Sequence, residues 1–333
     1  MPVKYLKVFI YFLPIPLIII SIFLGPDESL SISQIFFWLK NKILHPEIPS
    51  NQLTEMIILQ VRIPRILVSF LVGSSLAAAG SALQAIFRNP LVSPYILGIS
   101  SGAAFGAALA LSLSLIYIQP FALFFAIVAV IMTYLLAKQK GEISTVALVL
   151  AGIIVNGIFT ALLTIIQFIS DPFKLQTIVH WTMGNLNNSN WLSFNAMIIP
   201  VIAGSIILFL YRWRLNLLAL GEEETQSSGF NPNILKIIIL SGATLVSSAA
   251  VSVAGVIGLF GLIIPHMVRM MFGPDNRSGI PLNIIVGGCF LLLIDDISRS
   301  LMAFEIPVGV FTMLIGGPFF IFLLKKSRIG WEN

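Results

Sequence analysis

Charge is what this sequence has least of. Asp, Glu, Lys and Arg make up 10% of its 333 residues while hydrophobic residues make up 57%, and mean hydropathy is +0.99. A soluble domain carries roughly 25% charge, and a water-soluble fold with so little would leave large apolar patches exposed and aggregate. Cys289 is the single cysteine, which excludes an internal disulfide; inside an apolar run it reads as a small apolar residue. The dipeptide Gly-Lys does not occur, so the chain has no phosphate-cradling GxxxxGK[ST] loop. His45, His180 and His266 stand far apart without metal-ligand spacing, and no nucleophile and base fall into a constellation. Catalytic residues, a metal site and a bound cofactor are therefore not expected of this chain. Ionisable residues are missing from the apolar cores between residues 100 and 137. Asp295 and Asp296 near the end of one apolar run, with Glu305 just beyond, make no relay through a bilayer, which disfavours a proton-coupled carrier.

What is present is a series of apolar runs about 20 residues long without period-2 alternation. In lipid the backbone must bond to itself, leaving helices or a closed barrel, and runs of this length and pattern are helical. About ten spans are predicted, with cores at 8–25, 66–87, 94–115, 118–137, 144–168, 192–211, 233–254, 256–272, 281–298 and 307–324. The fold class is all-α: a polytopic membrane protein, one transmembrane domain over 1–333. Lys4 and Lys7 precede an apolar run that no small-residue cleavage site follows, so the first run is expected to be an uncleaved span. Pro90, Pro94 and Pro265 lie near joints between abutting spans. Helices broken there need neighbouring protein to satisfy the freed backbone, which implies a compact bundle. Small residues crowd the second and third spans, among them Gly73, Ala77, Gly80, Gly98, Ser101, Gly102 and Gly106. Lipid gives no hydrophobic drive between helices, so close approach relies on such side chains.

The net charge of +5 sits between the apolar runs and so concerns orientation, not nucleic acid. With the N-terminus inside, 13 of the 19 basic residues fall on the cytoplasmic side and 6 outside, which fits both termini inside. Arg62, Arg65 and Arg299 are isolated on the less favoured side. The main polar connector on the favoured side runs from about 216 to 231. Glu222, Glu223 and Glu224 favour a helix start by the dipole effect and Gly229 suits a helix end. A short polar helix between two glycines, flush with the membrane, is either a docking knob or a solvated connector.

Several motifs in order carry a resemblance. Leu220-Gly221-Glu222-Glu223-x-Thr225 leading to Gly229-Phe230-Asn231 resembles the coupling loop of the FecCD-type permeases, membrane subunits of iron–siderophore, haem and cobalamin ABC importers. Arg62-Ile-Pro-Arg65, the stretch Arg88-Asn89-Pro90-Leu91-Val92-Ser93-Pro94 with Gly98-Ile99-Ser100-Ser101-Gly102, Gly258 to Arg269 with Gly273-Pro274-Asp275-Asn276-Arg277, and Glu305-Ile306-Pro307 leading to Gly316-Gly317-Pro318 are similar to family motifs too, so the likeness covers about 60–325. It implies a type II importer permease in the cytoplasmic (inner) membrane of a prokaryote. A second permease copy (homodimer or close paralogue) would share a central pathway, two separate ATPase subunits would hold ATP and magnesium, and a periplasmic or lipid-anchored binding protein would deliver the cargo. On this resemblance Leu220, Gly221, Glu222, Glu223, Glu224, Thr225 and Gly229 seat in the ATPases. Arg62, Arg65 and Arg299, taken as exposed, pair with carboxylates of the binding protein. Leu91, Ser144 and Thr145 lie near a cytoplasmic gate. The commonest cargo is a ferric siderophore, with haem and cobalamin open. The rival readings are an ion-coupled secondary transporter, which needs intramembrane carboxylates, and an intramembrane enzyme, which needs paired reactive side chains.

Overall fold

The architecture comes from a computed structural model that describes residues 3–25, 30–44, 51–139, 142–300 and 305–326. The chain begins with α1 (Val3–Phe12) and α2 (Pro14–Phe23), an apolar rod broken at Leu13, where Pro14 and Pro16 withdraw backbone donors. Next comes α3 (Ile32–Leu44), a helix for which the sequence reading had no span; its Ile35 and Trp38 close over Ile58 at the end of the bundle. Then α4 (Gln52–Met56), a π-helical turn (Ile57–Arg62) and α5 (Ile63–Ile86) run on as one helix of 35 residues. Pro64 has no N–H for a carbonyl one turn back. The ladder slips just ahead of it, and the Ile63 N–H reaches the Ile58 carbonyl. The second span thus starts well before the predicted 66.

A 3₁₀ turn (Pro94–Leu97) leads into α6 (Ile99–Ser112), shorter than the predicted 94–115 because the chain turns at Gly98 (φ +83) before the helix starts. The helix α7 (Gln119–Ala137) is followed by a minimal hairpin of β1 (Lys138–Gln139) and β2 (Glu142–Ile143), Lys138 opposite Ile143. It is the one exception to an all-helical fold among the described residues. Then come α8 (Thr145–Ile169), α9 (Pro172–Thr182, N-capped by Asp171) and α10 (Trp191–Tyr211). The polar connector folds as α11 (Arg214–Leu220) and α12 (Glu222–Ser227). The chain ends with α13 (Pro232–Ala254), α14 (Phe260–Phe272), α15 (Asn276–Ser300) and α16 (Val308–Lys326). Among the described residues seven helical segments are long and apolar enough to cross a membrane, and three shorter apolar helices lie at 99–112, 260–272 and 308–319, in keeping with about ten predicted spans.

The centre of the bundle is α5, which packs against α15, α13, α14 and α10. Its small residues are the reason. A Cβ on Gly73 would stand 2.3 Å from the carbonyl oxygen of Gly287 on α15, and one on Gly80 would meet the carbonyl of Gly261 on α14. Backbones this close leave room for no side chain, the close approach that association in lipid depends on. By contrast α8 is 28% buried where α5 is 83% buried, so α8 is a flank and α5 the axis.

Candidate functional site

Two regions at opposite ends of the bundle gather the polar side chains. At one end, α12 hangs between α11 and α13. Gly221 (φ +155) joins α11 to α12, and a Cβ there would collide with the Glu224 carboxylate. Thr225 is fully buried and its hydroxyl donates to the Gly221 carbonyl at 2.6 Å, while Glu222, Glu223 and Glu224 face solvent. The three carboxylates occupy the first turn, where the helix dipole favours them. At the other terminus Gly229 takes φ +82, the Phe230 N–H donates to the Thr225 carbonyl and the Gly229 N–H to the Gln226 carbonyl. This is a complete Schellman stop. Asn231 then caps α13 by accepting from the backbone N–H groups of Asn233 and Ile234. The predicted helix between two glycines is thus present, and Leu220 before it is exposed.

This short helix is tied at both sides. Lys236 of α13, itself buried, reaches Glu222 at 2.6 Å. In α11 the Asn216 side chain donates to the Asp275 carboxylate at 2.7 Å and accepts from the backbone and side-chain N–H groups of Asn276, both at 2.9 Å. The start of α15 is thereby clamped to α11 and the polar connector. The Arg277 backbone N–H and the Asn216 amide hold the Asp275 carboxyl below its ordinary value. Sequence reasoning missed this clamp: Asp275-Asn276 stood out as a motif, but nothing marked Asn216. Arg269 counted for orientation and as the end of a family motif, without a partner; in the structure it donates from α14 to the Gln84 side chain of α5.

The expected gate residues lie near this end on separate segments. Leu91 sits in the turn after α5, its N–H donating to the Asn89 side chain at 2.9 Å. Ser144 and Thr145 open α8. What α8 presses against the 94–97 turn is Gly152, whose Cβ would meet the Ile96 carbonyl at 2.0 Å, not Thr145.

The arginines at the opposite end require a correction. They were expected to be exposed, and they are buried: Arg62 is 3%, Arg65 6% and Arg299 1% exposed. The Arg65 guanidinium grips Asp295 through Nε (3.2 and 3.1 Å) and Nη2 (2.7 Å) and donates from Nη1 to Glu305 at 3.0 Å. Arg299 donates to Asp296 and to the Ser21 carbonyl, the Ser21 hydroxyl donates to Asp296, and Arg62 donates to the Ile22 carbonyl at 2.8 Å. A cation withdrawn from water must find counter-charge within the protein. The last turns of α15 bring Asp295 and Asp296 to where α5 begins. The three arginines therefore join α2, α5 and α15; as they stand they present no free cation to a partner.

The chain matches the FecCD transport family over residues 13–326. It belongs to that family. It is 38% identical over 312 residues to a probable iron chelatin transport system permease protein of Helicobacter pylori, covering 93% of this chain and 95% of the relative. It is 40% identical over 322 residues to the molybdate import system permease protein MolB of Haemophilus influenzae, covering 95% and 94%. A solved structure described as an inward-facing conformation of a metal-chelate type ABC transporter superposes with TM-score 0.84 at 34% identity, covering 97% of this chain and 99% of that one. The FecCD chain described here is thus a multi-pass ABC importer permease of the metal-chelate type, and it is not itself catalytic.

Proposed function

We propose that this permease, paired with a second copy, forms the membrane pathway of an ATP-driven importer whose cargo is a ferric siderophore. Two ATPase subunits bind at the α12 end and a periplasmic or lipid-anchored binding protein at the end of α2 and α15, with both termini cytoplasmic. The observation that carries the reading is the coupling segment: a stopped, acidic six-residue helix, exposed outward and tied inward to α13 by Glu222–Lys236 and to α15 by Asn216–Asp275. Such a part transmits displacement, which a chain with no engine of its own requires. The seat comprises Leu220, Gly221, Glu222, Glu223, Glu224, Thr225 and Gly229.

Pairing is supported by α8 and α16, where Gly157 and Gly317 have open space within 4 Å of an added Cβ, in contrast to the closed contacts around Gly73 and Gly80. Gly157, Thr160 and Thr164 share an exposed face of α8, and small and hydroxyl residues there suit a partner helix or a wet pathway. The gate reading for Leu91, Ser144 and Thr145 goes with that pathway. At the other end Arg62, Arg65 and Arg299 shape the surface that receives the binding protein by fixing the ends of α2, α5 and α15.

The test is uptake in reconstituted vesicles containing the permease, its ATPase and its binding protein. Transport should need ATP and continue with a proton uncoupler present; uptake without ATP that the uncoupler abolishes would replace this reading with an ion-coupled carrier. Titrating the binding protein with ferric siderophore, haem, cobalamin and molybdate identifies the cargo.

A further inference from the structure

We propose that the groove between α5, α10 and α15 is a binding site for one anionic membrane phospholipid, its acyl chain along the groove and its phosphate at Arg212. The groove measures about 550 Å³ and its walls include Phe70, Ser74, Ser205, Phe209, Leu210 and Ile284. The Ser74 hydroxyl is committed to the Ile284 carbonyl at 2.7 Å, so the floor is effectively apolar and suits a hydrocarbon chain.

Depth is fixed by α10. Its 21 residues begin at Trp191 and end at Tyr211, about 32 Å at 1.5 Å per residue, the thickness of a hydrocarbon core. Aromatic residues at both ends suit the two interfaces. Arg212 is the next residue and therefore sits at headgroup level. Its guanidinium lies over the ring of Phe209, 3.7 Å from the centroid, and one N–H donates to the Phe209 carbonyl. Phe209 is a wall of the groove, so the cation caps the groove's end. Among the described residues no carboxylate pairs with Arg212. Arg277 stands 5.8 Å from the ring of Trp213, the neighbour of Arg212, and the nearby Asp275 is already occupied by Asn216. Topology alone asks for a positive charge on this side of the membrane; it does not ask for one laid on the aromatic wall of a lipid-sized groove. Planar guanidinium groups suit phosphate oxygens, and a basic site beside an acyl groove selects anionic headgroups. The leaflet concerned rests on the orientation proposed above, but the binding itself does not.

The experiment reconstitutes the full chain in nanodiscs of equimolar phosphatidylglycerol and phosphatidylethanolamine, extracts it gently and counts retained lipids by native mass spectrometry. No ATP or cargo is involved, so failure here leaves the importer reading standing, and failure of that reading leaves this site standing. The wild type should retain phosphatidylglycerol in preference, Arg212→Gln should lower that preference about fivefold, and Arg212→Lys should keep most of it. Ser205→Phe, filling the groove, should reduce retention of both lipids. An Arg212→Gln protein with undiminished preference overturns the headgroup site, and an inert Ser205→Phe overturns the groove. Copy-to-copy disulfides through Ser205→Cys in native membranes would make the groove an interface and also overturn the proposal.

Discussion

Arg65 on α5 and Asp295 on α15 meet at 2.7 Å across 230 positions of sequence, with 7% and 0% of their side chains exposed. The same guanidinium holds Glu305, so one side chain joins the start of α5, the end of α15 and the approach to α16. Removing one partner of such a pair strands a buried charge at a cost of about 3–5 kcal/mol. Arg65→Ala and Asp295→Ala should each lower the melting temperature in detergent or yield little folded protein. The double variant should recover part of the loss, as the stranded charge disappears. A wild-type melting temperature for Arg65→Ala, with only binding-protein capture impaired, would restore the exposed-docking role.

The stop at Gly229 yields a milder effect. Its left-handed backbone disfavours any Cβ by about 1–2 kcal/mol, yet open space surrounds it, so Gly229→Ala strains the backbone without a clash. Amide exchange over 222–228 should speed up while the transmembrane helices keep their protection, and retention of the ATPase on co-purification should fall. Unchanged exchange would mean that the stop does not depend on glycine.

The Asn216–Asp275 clamp should respond to acid. Asp275 lies outside the spans and its carboxyl is held below the usual carboxylate value. Its contribution is therefore present above the unfolded value and is lost as pH falls through the lowered folded one. Amide protection over 214–220, taken relative to the intrinsic exchange rate at each pH, should fall below the ordinary carboxylate range in the wild type and be lowered and nearly pH-independent in Asp275→Asn. An Asn216→Ala protein should match that variant in exchange and show ATP hydrolysis poorly stimulated by the binding protein, with its ATPase still attached. Full stimulation would remove the clamp from the route of transmission.

Glycine position should separate fold from pairing. Gly80→Trp drives bulk into the Gly261 backbone and should abolish folding, since even smaller overpacking costs about 1–3 kcal/mol. A Cβ on Gly157 has nothing within 4 Å of it, so Gly157→Trp should leave a folded protein whose mass by light scattering shifts toward the monomer. A dimer intact in Gly157→Trp would move the interface off α8.

Ten apolar segments were legible because hydrocarbon thickness fixes run length, and the short helix α12 was legible because its glycines and acids are local signals. Burial of the arginines was not. The sequence marks Arg65 as basic on the sparse side, but its carboxylates are 230 and 240 positions away, beyond the reach of any local pattern. The helix α3 escaped because it lacks span length; the cue that could have found it was local, a capping box in which the Gln34 N–H donates to the Ser31 hydroxyl and the Ser31 N–H to the Gln34 side chain. Asn216 escaped because an asparagine before a loop has many bland uses. Cargo is illegible for another reason: permeases of similar likeness to this chain carry names as different as iron chelatin and molybdate.

The double tether of α12 constrains how force can travel. A helix held by α13 through Glu222 and, by way of α11, by α15 through Asn216 cannot swing on its own like a latch on one hinge. Any torque on it must turn two membrane-crossing columns together, and the farther end of one of them, α15, is riveted to α5 by Arg65. On the proposed reading, a nudge of six residues on one side of the bilayer is thus geared to the opposite face, with the long central helix as the shared axle.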